Sequence, residues 1–126
     1  MKVVLNVVLF SYLDRPIFGV EIDGKADESS GVYPNTGGGT TVGVEFMLGS
    51  KKVSWKLDGP EGAPRNGETV WNKNKLELKE VAPGAKYLAV HIYPDEMVEL
   101  LTSAERPYFS ARGEVEIAKM GRKHGK

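Results

Sequence analysis

Apolar and polar residues alternate with a two-residue period along most of this chain. The pattern is clearest from Thr40 to Leu57. There Val42, Val44, Phe46 and Leu48 share one parity, and Val53, Trp55 and Leu57 share another beyond Gly49-Ser50-Lys51. Side chains on a strand point to opposite faces in turn, so the spacing predicts two half-buried antiparallel strands joined by a tight turn. Trp55, the largest apolar group of the stretch, is expected near the centre of the core. Val and Thr along the run, with Gly43 and Gly49 inside it, count against a helix.

The same periodicity recurs in chain order. Val3 to Tyr12 is apolar on both parities, which suits a strand covered on both faces or one crossing between sheets. Asp14-Arg15-Pro16 ends it, and Ile17 to Asp23 resumes alternation up to the turn signal Asp23-Gly24. Lys25 to Gly39 is glycine-rich and reads as a long surface loop, and Asp58 to Gly67 as a second loop. Glu68 to Val81 has apolar points at Val70, Trp71, Leu76 and Leu78 around a polar Asn72 to Lys75, which predicts two short strands or a bulged one. Lys86 to Tyr93, Met97 to Thr102 and Gly113 to Met120 alternate again. Seven or eight short strands with turn signals between them, and no evident helix, predict an all-β fold, an antiparallel β-sandwich with long loops.

At 126 residues the chain has room for one core. Residues 1–118 are expected to form a single β-sandwich domain and 119–126 a basic tail. The formal net charge is zero, but the tail holds four of the 17 basic residues and no acid, so the body carries 13 basic against 17 acidic groups, a net of −4. An acidic body is a poor match for nucleic acid, and no such partner is expected. Cysteine is absent, which excludes disulfides, thiol catalysis and thiolate metal sites. The apolar stretch after Lys2 is too short for a membrane span and lacks a signal-peptide cleavage context, so it reads as a strand. Any export signal or lipid anchor would then lie upstream of Met1.

Catalytic constellations are sparse. Histidine occurs only at positions 91 and 124, no serine stands in a nucleophile-elbow context, and the twelve glutamates are spread as a soluble sheet requires. The glycine run before Thr40 lacks the Gly-Lys-Ser/Thr of a phosphate loop. These features predict a protein that is not an enzyme and that needs no metal or cofactor. Tyr87, His91 and Tyr93 share the parity opposite the apparent core face. They are expected either as an exposed aromatic binding stripe or as a face covered by a second sheet or the N-terminal strand.

Four segments carry a resemblance: LFSYLDRPIFGVEIDG, the GGGTTVGVEF run, Val53-Ser54-Trp55, and the late AVHIYPDEMVEL block. Their order, over roughly residues 5–103, resembles a proteobacterial family of small envelope proteins, often lipoproteins. The family is encoded beside type VI secretion lipase effectors and acts as their immunity proteins. Members often carry cysteines where this chain has Thr40-Thr41-Val42. The resemblance implies an immunity protein that binds a cognate phospholipase or lipase effector and inhibits it by stoichiometric occlusion, in the periplasm or alternatively the cytoplasm. The candidate contact residues are Tyr33 and Asn35 in the glycine-rich loop, Trp71, for which core packing is the alternative, and Tyr93, Asp95 and Glu96 in the late turn. An alternative from another class is a carbohydrate- or ligand-binding sandwich of the cell envelope, with Trp71 and the tyrosines stacking on sugar rings.

Overall fold

The computed structural model describes residues 2–30 and 37–123. Among these, ten strands precede one helix: β1 (Lys2–Ser11), β2 (Ile17–Ile22), β3 (Lys25–Ser30), β4 (Gly37–Met47), β5 (Gly49–Lys51), β6 (Val53–Leu57), β7 (Thr69–Trp71), β8 (Leu76–Leu78), β9 (Tyr87–Ile92), β10 (Val98–Ser103) and α1 (Ala111–Lys123). The fold is an all-β sandwich. One sheet runs β10-β9-β1-β4, the other β3-β2-β6-β7, and β5 pairs with β8.

The two-sided apolar pattern of β1 explains the layering. Leu5, Val7 and Leu9, with Leu88, Val90 and Ile92 of β9, point into one core. They meet Ile17, Val20 and Ile22 of β2, and Val53, Trp55 and Leu57 of β6, from the opposite sheet. Trp55 is 1% exposed, as its place in the pattern predicts. The other parity of β1, Val8, Phe10 and Tyr12, joins Ala89 and Tyr93 in a second cluster, against which Phe109 and Ile117 pack. β1 and β9 run parallel in register from Asn6 opposite Tyr87 to Ser11 opposite Ile92. Parallel pairs are usually buried on both faces, and this one is.

Three expectations are corrected. The stretch from Thr40 to Leu57 is not a hairpin: β4 pairs with β1, whereas β6 pairs with β2 and β7 in the opposite sheet. The chain changes layer at Leu48–Gly49 instead of folding back on itself. Inside β4 the parity also breaks. Leu5 lies opposite Val44 and Val7 opposite Thr41, so β4 carries one extra residue. Gly43 takes the left-handed conformation (φ 71°), and its N–H donates to the Asn6 side chain at 3.0 Å. This bulge leaves Val42 76% exposed while Phe46 stays buried.

Second, the expected loop from Lys25 begins with a strand. Asp23 (φ 50°) and Gly24 form a two-residue turn of the kind that closes hairpins, and β3 returns along β2. As an edge strand β3 does not need the apolar run by which central strands are recognised. Third, Gly113 to Met120 is helical. Ser110 caps α1: its Oγ accepts the Gly113 N–H at 2.9 Å, and its carbonyl accepts the Glu114 N–H at 2.9 Å. Arg112–Glu116 and Lys119–Glu116 pairs, four and three residues apart, lie along it. α1 runs through the expected boundary at residue 119 without a break. No helix among the described residues is long and apolar enough to cross a membrane.

Gly113 is where the helix touches the sheet most closely. A Cβ there would lie 2.3 Å from the Tyr12 ring, which is fully buried and cannot swing away. Glycine normally weakens a helix by about 1 kcal/mol relative to alanine, so Gly113→Ala would stabilise an isolated helix. In the folded protein the overpacking should dominate, with a net loss of about 1–3 kcal/mol in urea unfolding. Unchanged or raised stability would contradict this docking.

Candidate functional site

β5–β6 and β7–β8 form one long antiparallel ribbon with an interruption. Lys51 lies opposite Leu76 and Ser54 opposite Trp71, so two residues on one side face four on the other. The excess, Asn72 to Lys75, is thrown outward. Asparagine amides hold it by imitating strand pairing. Asn72 donates its main-chain N–H to the Val53 carbonyl at 3.0 Å and accepts the Val53 N–H on Oδ1 at 2.9 Å. The Asn74 side chain accepts the Val98 N–H at 2.9 Å and donates to the Val98 carbonyl at 2.8 Å, tying the excursion to the first residue of β10.

The interruption opens a groove of about 690 Å³, whose lining includes Ser50, Lys52, Trp71, Asn72, Lys75 and Glu77. Trp71 is 55% exposed. Beneath it Lys51 is almost completely buried, its ammonium 3.1 Å from Asp23 and 3.1 Å from the Ser50 carbonyl. The late turn adjoins the excursion: the Lys73 N–H donates to the Glu96 carbonyl at 3.0 Å, and the Lys73 ammonium lies 3.4 Å from the Glu96 carboxylate. Asp95 accepts a hydrogen bond from Arg112 at 2.8 Å, and the Arg112 guanidinium sits 4.2 Å from the Tyr93 ring centre. Burial pushes the Asp95 carboxyl up, but Arg112 and the Met97 N–H overcome it and hold the group below its ordinary value.

Of the residues singled out from sequence, Trp71 lines the groove, Glu96 is tied to the excursion through Lys73, and Asp95 is engaged by Arg112 of α1. Tyr33 and Asn35 lie outside the described residues. Tyr93 is 2% exposed and lies beneath Arg112, not on the surface. The expected choice for the Tyr87, His91 and Tyr93 face resolves as coverage, although by α1 and not by a second sheet or the N-terminal strand. Periodicity could not show this, because the cover is the segment misread as a strand.

That covered face holds a polar network. Phe10, His91, Tyr12 and Tyr93 stack with centroid spacings of 4.9, 5.9 and 5.3 Å from ring to ring. The Tyr93 hydroxyl donates to Glu99 at 2.7 Å and so takes the Ser110 hydroxyl as its donor at 2.6 Å. His91 faces the Tyr12 hydroxyl through Nδ1 at 2.8 Å, and its Nε2 is buried without a partner among the described residues. Burial raises the Tyr12 and Tyr93 phenols above their ordinary range, with Glu99 adding to the effect against the Ser110 bonds. Burial also lowers His91 to about 4, only partly opposed by Glu99. The neutral imidazole is thus a packing and stacking element with no access to solvent. No three His, Asp or Glu side chains gather at metal-binding distance among the described residues.

No family model, curated protein or solved structure matches the chain.

Two outcomes test these placements. Between pH 6.5 and 4 an unfolded chain binds a proton that native His91 refuses, so its contribution falls as pH drops through that window. Urea unfolding across it should show the parent losing about 3 kcal/mol more than a His91→Phe variant, and parallel profiles would contradict the burial. Asn74→Leu leaves the Val98 N–H and carbonyl unpaired and should lose about 2–4 kcal/mol. Amide exchange should accelerate at Val98 and through residues 72–75, and unaltered exchange there would contradict the anchoring role.

Proposed function

We propose that this chain is an immunity protein, which silences a lipase effector of a type VI secretion system by binding it one to one in the cell envelope. The observation that supports this most is the position of Trp71. The chain has two tryptophans; one is locked in the core, and the other stands half in solvent on a short edge strand, beside a groove. Tryptophan at the centre of a contact is the commonest kind of anchor residue. Its surroundings are held stiffly by the asparagine bonds, so little order would be lost on binding.

The order of the four sequence segments given above points to a lipase as the partner. The described histidine supports a non-catalytic role, because both its ring and its stacked neighbours are committed to the interior. A sugar-binding module is less well supported. Recognition of neutral hydroxyls uses fixed amide donors and acceptors, and both groove amides already bond the protein's own main chain.

Co-expression with the lipase encoded beside it should rescue growth, and the two proteins should co-purify at equal stoichiometry. Trp71→Ala should keep the parent's thermal midpoint but weaken the complex by about 2 kcal/mol, roughly thirtyfold. Failure to rescue or co-purify would overturn the reading.

A further inference from the structure

The groove differs in charge from the rest of the body. Lys52 and Lys75 line it, and neither ammonium has a partner among the described residues. Lys56 adds a third. It stands two residues beyond Ser54, which lies opposite Trp71, so Lys56 shares the outward parity of Lys52 and Trp71. It likewise has no ion pair among the described residues. Two carboxylates face the same side. Glu21 lies opposite Ser54 on β2, and Glu77 leans towards Lys79 at 4.0 Å. The balance around Trp71 is positive, on a body whose net charge is −4.

Resting on the binding role proposed above, we infer that this groove receives an acidic segment of the partner protein, with carboxylates on Lys52, Lys56 and Lys75 and an apolar side chain on the Trp71 ring. The chemistry of the lining selects this occupant. Ammonium groups on flexible stems act as point charges that follow carboxylates without fixed geometry. The exposed indole offers an apolar face and attracts no anion by itself, so an apolar side chain must accompany the charges. Unpaired surface charge of one sign speeds encounter with a partner of the other, and it makes the contact salt-dependent.

The experiment needs no lipase at its first stage. Trp55 is sealed in the core, so a change in the emission of the intact protein on titration reports Trp71. The probes are a synthetic peptide alternating glutamate and phenylalanine, its glutamine–phenylalanine twin, and phosphatidylglycerol vesicles. The acidic peptide should shift the emission saturably, the glutamine twin should bind at least about tenfold more weakly, and Lys52→Glu/Lys75→Glu should lose a similar factor. No response to the acidic peptide, equal response to its twin, or a response to the vesicles alone would overturn the inference. A lipase complex that forms with the parent, and equally well with the double variant, would overturn it while the immunity reading stands. Acidic-peptide binding without capture of the lipase would support the inference and overturn the immunity reading.

Discussion

The parallel pairing of β1 with β9 presents two apolar faces, and both must be covered for the chain to fold. The inner face is buried by the second sheet, through Trp55 and the aliphatic residues of β2 and β6. The outer face is buried by α1, with Gly113 set against Tyr12 and Ser110 capping the helix. The helix is thus part of the fold's burial, and it continues past residue 119, where the sequence suggests that a basic tail begins.

This constraint also decides which chemistry is available. Tyr12, His91 and Tyr93 combine proton-exchanging groups with close stacking, and an exposed version of the cluster would invite a catalytic or binding reading. Under α1 their polar atoms, the Nε2 of His91 excepted, are directed to one another, to Ser110 and to Glu99, and the imidazole is kept neutral. Such a network fixes how the helix sits on the sheet. The free aromatic and unpaired charges lie on the other layer, where the interrupted ribbon of β5–β8 exposes Trp71 between lysines. The buried polar network and the exposed groove are therefore on separate parts of the fold.

Much of this was legible in the residues, and the misreadings have physical causes. The two parities of β1, the alternation of β9 and the polar break at Asn72 to Lys75 each announced what they became. The hairpin failed because alternation reports burial and not partner: β4 and β6 both have an inward face, but in different sheets. Val42 was misplaced because an extra residue in β4 reverses parity, and the signal for it, Asn6 within an apolar strand, acts across the sheet. Val115 and Ile117 satisfy a strand period over a few residues as well as a helix period. The cap at Ser110 and the pairs made by Arg112, Glu116 and Lys119 were the distinguishing signs. The groove lysines could not be recognised in sequence, because being unpaired is a property of the folded neighbourhood.

Native-state amide exchange on the free protein tests most directly whether one cooperative core joins the sheet to its helix. Amides of Val7 to Phe10, Leu88 to Ile92 and the Ile117 turn should exchange only through global unfolding, while those of β7 and β8 exchange through smaller openings. Exchange of α1 well ahead of β1, with the β1 amides opening as readily as the edge strands, would contradict two-sided burial.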